Sequence, residues 1–584
     1  MSRAPRPDDL YRLRVATEPR LSPDGSLAIV TLKTVAPGFD GYRQAIWLVP
    51  TDASCEPRRL TLGVGQDRAA RFSPDGRTLA FLSDRGPLLE RDAREARDRR
   101  DGRLRTPAAR GVPREPEDAS QVYLLPLDGG EARRLTDLPR GVEALEWSPD
   151  GSRLVVVSTS REATHAAAAR RRGPDTDPAV GQPPGSDYRF IDRLDYMLNG
   201  KGFTYDRVPH LWLVDAATGV ASRLTDGPVA DREPAWSPDG RRIAFSSNRR
   251  RDPDLVGRQD IHVVDVETRA VTALTRGPRS LFGWPAFLPD GTAVVALGHR
   301  FEGRAGSRND IWRFAADGSD ASPTGGRNLS AKHDLMPGAI MNSDVTVESG
   351  PRLVPSPDGR WIGFSAPVDG AYELWRIAVD DGRLERLTEG RHYVSDWDAQ
   401  TGRIAYLRSS PTEPPDLWVL DVDRPGGGAP SGGAAKARAS GSRASVATPR
   451  RLSSFNADLV AEVELREPRE RTRTVDGRRI QGWFLAAADG PSADGHARSG
   501  GPRPLVVEIH GGPHTLYGWS PSLEFQLLAA SGIGVFYCNP RGSEGYGQAF
   551  NDANHRDWGH GPMRDVLAGV DGLVADGLAD PDRL

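Results

Sequence analysis

SPDGRRIAFSSN, residues 237–248, is a turn that throws the chain into a strand. Proline presets φ at the first central position, glycine takes the left-handed one, and a short apolar run follows. The unit recurs at Ser22–Gly25, Ser73–Gly76, Ser148–Gly151, Leu288–Gly291 and Ser356–Gly359, and in degenerate form from Asp398 to Gly402 behind Trp397. A second unit answers it: AIWLVPTDASCEPRRLT (45–61), QVYLLPLDGGEARRLT (121–136), HLWLVDAATGVASRLT (210–225), DIHVVDVETRAVTALT (260–275), DIWRFAADGSDASPTGGRNLS (310–330), ELWRIAVDDGRLERLT (373–388), and DLWVLDV (416–422) with RRLS (450–453). Each reads as strand, short turn, strand. Two such hairpins make one four-stranded blade, so the interleaved series predicts a seven-bladed β-propeller over 10–455.

Where repeats lie further apart, insertions account for the distance. Residues 90–105 mix acids with arginines, 161–185 are rich in Ala, Arg and Pro, and 425–449 form a Gly/Ala/Ser tract that reads as a mobile loop. Alternating signs make the first insertion a solvated loop, not a nucleic-acid site. The aromatic stretch DYRFIDRLDYMLNGKGF, 187–203, reads as blade packing, with the mouth of a substrate chamber as its functional alternative.

Composition narrows the class. The 584 residues are 38% hydrophobic and 27% charged, with a formal net charge of -3, which offers no general attraction to nucleic acid or anionic membrane. Cys55 and Cys538 stand far apart and make no disulfide framework. The N-terminus has no apolar core of a signal peptide, and no apolar run reaches 18 residues, so a cytoplasmic protein is expected. No HExxH and no paired CxxC occurs, and each SPDG aspartate reads as capping its own turn, so no metal is expected.

After Leu452 and Ser453 the repeat stops, and 456–584 read as a different domain. Asp476-Gly477 marks a hairpin between alternating runs, and 488–501 form a Gly/Ser-rich surface loop. PLVVEI (504–509) reads as a strand buried on both faces, 522–530 as a helix, and GVFYCNP (534–540) as a second buried strand. From 562 to 575, Val566, Leu567, Val570, Leu573 and Val574 share one helical face. This alternation predicts an α/β domain with a parallel sheet. At the ends of its two strands stand HGGPH (510–514) and RGSEGYG (541–547), where α/β sheets bind ligands. Paired glycines permit a sharp turn and free a backbone N–H for a developing negative charge, with a plain strand-exit turn as the alternative reading of the motif alone. His514, His555 and His560 are isolated loop histidines, not assigned to chemistry.

An SPDG propeller followed by HGGPH, NPRGSEGYG and DWG resembles the prolyl oligopeptidase family of serine peptidases, in its acylaminoacyl-peptidase and dipeptidyl-peptidase-like branch. The resemblance implies a propeller gating an α/β-hydrolase domain, short or N-terminally blocked peptide substrates, and no cofactor. It makes Gly512 an oxyanion donor shaped by His510 and Gly511, and Arg541 and Tyr546 candidates for the substrate cavity. It implies no nucleic-acid or membrane partner and leaves homo-oligomerisation open. One element is missing: no serine has glycine at both i−2 and i+2, so the G-x-S-x-G elbow is absent. The domain is therefore expected to be an incomplete α/β-hydrolase, its Ser/Asp/His triad lying beyond Leu584. A chain ending there is expected to be inactive and poorly soluble. A non-catalytic propeller scaffold is the alternative, and an esterase a third option.

Overall fold

The computed structural model describes the chain apart from residues 87–119, 161–190 and 423–447, and shorter stretches at 1, 37, 39–40, 192–193, 195, 200–201, 205–206, 251–252, 254–257, 301–305, 347–349, 489, 492–496 and 499–500. The first two insertions thus lie almost wholly outside the described residues, as do 425–447 of the third. The described residues form two compact units, one of 1–63, 301–311 and 328–584, the other of 64–300 and 312–327.

Each SPDG turn joins the first two strands of a four-stranded antiparallel sheet, and each second unit supplies the last two. In the sheet around residue 240 the order is Asp231–Trp236, Arg242–Ser247, Asp260–Asp265, Val271–Ala273, with Ile243 opposite Trp236 on one side and Val264 on the other. Five such sheets occur, and an eight-stranded sheet divides into two further halves that meet through parallel pairing of Tyr372 with Tyr393.

Local chemistry explains both repeats. Gly240 stands at φ +68, as the turn requires. The Ser237 hydroxyl donates to Asp239 Oδ1 at 2.5 Å and accepts the Arg242 amide at 2.9 Å, closing the turn from within. Ser22, Ser73, Ser148 and Ser356 do the same. These bonds hold the turn aspartates below the usual carboxylate range, Asp150 and Asp358 at about 2. The Leu-Thr ending of the second unit has an equally local cause. Thr61, Thr136, Thr225, Thr275 and Thr388 accept the amides of Ile46, Val122, Leu211, Ile261 and Leu374, and Ser330 and Ser453 those of Ile311 and Leu417. All seven third strands are fastened to the fourth by one side-chain hydroxyl.

Within each unit, sheets pack face to face, as propeller blades do. In the second unit Val155, Val157 and Leu211 meet Ile243, Phe245 and Val264, and Ala244, Ile261 and Val263 meet Phe282, Val294 and Phe314. In the first unit the N-terminal sheet packs on the last one: Ala28, Val30 and Leu32 against Ala405, Leu407 and Leu417. Polar contacts reinforce that seam. The buried Asp398 carboxylate accepts the Leu21 amide at 2.9 Å, and the Asn456 amide both accepts from and donates to the Arg14 backbone.

The remaining elements are α1 (Ala457–Glu462), β1 (Arg469–Glu470), β2 (Arg473–Val475), β3 (Arg478–Ile480), β4 (Gly482–Leu485), β5 (Leu505–Glu508), α2 (Leu523–Ala530), β6 (Gly534–Cys538), α3 (Gln548–Asn551) and α4 (His560–Ala575). Asp476 and Gly477, at φ +48 and +74, make the expected hairpin turn between β2 and β3. Ser522 caps α2, accepting the Phe525 amide.

Three expectations need correction. The sheet is mixed, in the order β1-β4-β6-β5: only β5 and β6 run parallel, because β4 enters from the hairpin against β6. Strand β6 is buried throughout, but β5 lies at the sheet's edge with Val506 and Val507 half-buried and Ile509 60% exposed. On α4, Val566, Val570 and Leu573 are buried against Phe536, while Leu567 faces outward. The surface loop after β4 also carries a small ladder, Gly490 with Arg498 and Pro491 with Ala497.

Candidate active site

Parallel pairing of Val506 with Val535 and Glu508 with Tyr537 brings the carboxyl ends of β5 and β6 side by side. HGGPH leaves one and RGSEGYG the other, and both lie in the first unit. Gly512 has φ +128, where a Cβ would stand 2.7 Å from the His514 amide nitrogen. Only glycine fits there. Gly511 and Gly512 are exposed, and among the described residues neither amide N–H has an acceptor.

His510 is buried behind them. Its Nε2 lies 2.9 Å from Ser543 Oγ and its Nδ1 3.0 Å from Thr515 Oγ1, so one ring ties the two loops together. Burial lowers its pKa and keeps the ring neutral at physiological pH. A neutral imidazole has a single N–H, so one of the two hydroxyls turns its own proton toward the ring. Tyr517 stands edge-on to the ring at 5.3 Å.

Tyr546 and Arg541 are placed differently from an open cavity wall. The Tyr546 hydroxyl donates to Gln481 Oε1 and accepts from Asn539 Nδ2, both at 2.7 Å, and burial raises its pKa. Arg541 is 5% exposed. Its Nε and Nη2 engage both oxygens of the fully buried Asp565 on α4, and Nη2 also meets Asp476 at the β2–β3 turn at 2.8 Å. Its guanidinium therefore braces the base of RGSEGYG, and those two carboxylates hold its pKa above the usual value. Sequence reasoning placed it toward substrate because its partners lie 24 and 65 residues away.

Two further groups had no sequence signature. Asn539, fully buried, pairs with both backbone groups of Tyr517 at 2.8 Å and so stitches the HGGPH loop to the end of β6. The segment around Met341, between the fifth sheet and the sixth, lies along the same loop. Leu516 N donates to Ile340 O, Asn342 N to Leu516 O, Asn342 Nδ2 to Thr515 Oγ1, and the Ile340 amide to Glu544. Of the unassigned histidines, His514 Nδ1 meets Gly542 O at 3.0 Å, and His555 and His560 are exposed. Cys538 is buried and its thiol pushed up to about 12, away from any reactive range. No cluster of metal-ligating side chains occurs among the described residues. Nor is any helix among them long and apolar enough to cross a membrane.

Residues 519–584 match the model of the prolyl oligopeptidase family. An uncharacterized peptidase of Bacillus subtilis, YuxL, is 27% identical over 582 residues, covering 99% of this chain and 77% of its own length. Dipeptidyl-peptidase 5 of Porphyromonas gingivalis is 23% identical over 597 residues, covering 99% and 74%. In fold, the acylaminoacyl peptidase of Pyrococcus horikoshii superposes with a TM-score of 0.68 at 18% identity, over 98% of this chain and 72% of that one.

Proposed function

This chain belongs to the prolyl oligopeptidase family, and we propose that it supplies the propeller and half the oxyanion hole of a serine peptidase acting on short or N-terminally blocked peptides. The observation that carries the reading is the Gly512 amide: an exposed N–H without an acceptor among the described residues, held at a positive φ at the carboxyl end of a parallel strand. Such a donor stabilises the oxyanion of a tetrahedral intermediate, and losing one typically costs on the order of 10²–10³ in rate. In this reading 10–455 is the propeller and 456–584 part of the hydrolase domain. None of the serines among these 584 residues stands in a G-x-S-x-G elbow. Arg541 and Tyr546 act by holding the RGSEGYG loop beside the cavity.

A fluorophosphonate probe tests the reading on the full-length protein. Covalent labelling of one serine, with peptide turnover that falls roughly 10²-fold or more in Gly512→Ala, is the expected result. A full-length protein that neither labels nor hydrolyses a blocked peptide would instead be a scaffold.

A further inference from the structure

The Gly511 carbonyl and the Gly512 N–H are the two ends of one peptide unit, planar and trans, so whatever fixes the oxygen also aims the N–H. Glycine stands on both sides of that unit, and a Cβ on Gly511 would meet nothing within 4 Å. Packing therefore does little to stop the plane from swinging. Two side chains hold that oxygen instead: Thr515 Oγ1 donates to Gly511 O at 2.7 Å, and His510 Nδ1 lies 3.1 Å from it. The hydroxyl is itself constrained, because Asn342 Nδ2 donates to Thr515 Oγ1 at 3.0 Å and occupies one of its lone pairs. Asn342 cannot drift, since its backbone N–H and its side chain both bond to Leu516 O. A bond to the carbonyl also polarises the N–H at the other end of the same amide.

We propose that Thr515 is a positioning residue for the hydrolytic reaction: its hydroxyl, held by Asn342, aims the Gly512 N–H at the oxyanion. The inference rests on Gly512 being the oxyanion donor. Thr515 touches no reacting atom and acts only through the 511–512 peptide. Its effect belongs in the transition state, where the oxyanion forms, and not in substrate binding.

The test measures kcat and KM for an N-acetylated peptide anilide on the full-length protein, its Gly512→Ala variant, Thr515→Val, Thr515→Ser and Asn342→Ala. Thr515→Val keeps the shape and removes the hydroxyl. It should lower kcat about tenfold, less than outright loss of a donor, with KM within about twofold. Thr515→Ser should recover most of the rate. Asn342→Ala, which removes one of the hydroxyl's restraints and leaves the His510 contact, should show the same kcat-only loss more weakly, and it carries the test if Thr515→Val fails to fold. Gly512→Ala inactive with Thr515→Val at parental kcat overturns the role of Thr515 alone. Gly512→Ala at parental kcat overturns the oxyanion reading beneath it. A Thr515→Val loss that Thr515→Ser does not relieve, or that follows the fraction of unfolded protein, also overturns the proposal.

Discussion

A serine hydroxyl repeated five times does much to fix this architecture. In each SPDG turn it bridges the aspartate and the amide five residues on, so Ser237→Ala should cost about 1 kcal/mol by removing one partner of a satisfied network. Urea titration beside the parent checks this; the turn at Leu288, which lacks the serine, supplies the natural comparison. The same bonds make a pH prediction. Asp150 and Asp358 are held at about 2, below their ordinary value of 3.8. Their contribution is present above about 4 and is lost as the pH falls toward 2. Asp150→Asn should therefore narrow the gap to the parent in thermal stability across that window and leave the shape of the profile above it unchanged. These turns could be read directly from sequence because every atom of the motif lies within six residues. Thr515, Asn539 and Asn342 could not. They are ordinary polar residues whose partners stand as far as 178 residues away, and only the fold brings them together.

The elements following the repeat were legible where a periodic pattern was long. Helix α4 and strand β6 fell where apolar spacing put them, while Leu567 shows that a residue on the rim of the apolar face can still look outward. The partner of Arg541 was hidden for a related reason: a buried aspartate on a helix leaves no periodic trace. The trace it does leave is Gly561 and Gly569, four residues to either side of Asp565. A Cβ on Gly561 would stand 2.9 Å from the Arg541 side chain, and one on Gly569 would strike the Phe536 ring at 2.2 Å. Breaking that ion pair by Arg541→Ala strands a fully buried carboxylate and should cost about 3–5 kcal/mol. Guanidinium denaturation followed by Trp fluorescence reads the loss. The half-buried edge strand β5 makes a further prediction. Residues 578–583 meet its outer edge at Arg503 and Leu505, and beyond them the exposed Ile509 should drive self-association of the protein. Light scattering at increasing concentration should show it, and Ile509→Lys should reduce it.

Among the described residues, the turn and hairpin units fall into five four-stranded sheets and one eight-stranded sheet, because each half-repeat carries its own turn chemistry. What the sequence could not convey is how the ends meet. Among the described residues, no strand of the first sheet is contributed by the C-terminal part of the repeat, and no strand of the last by the N-terminal part. The seam is side-chain work: the apolar layer around Val30 and Leu417, Asp398 reaching Leu21 across 377 residues, and Asn456 reaching Arg14 across 442. A ribosome delivers these partners in order, at roughly 5–20 residues per second. The first sheet therefore spends on the order of tens of seconds with its apolar face uncovered before the last sheet exists. A nascent chain of this protein should be an obligate client of trigger-type holding chaperones during that interval, and a circular permutant opened at another seam should not share the same delay.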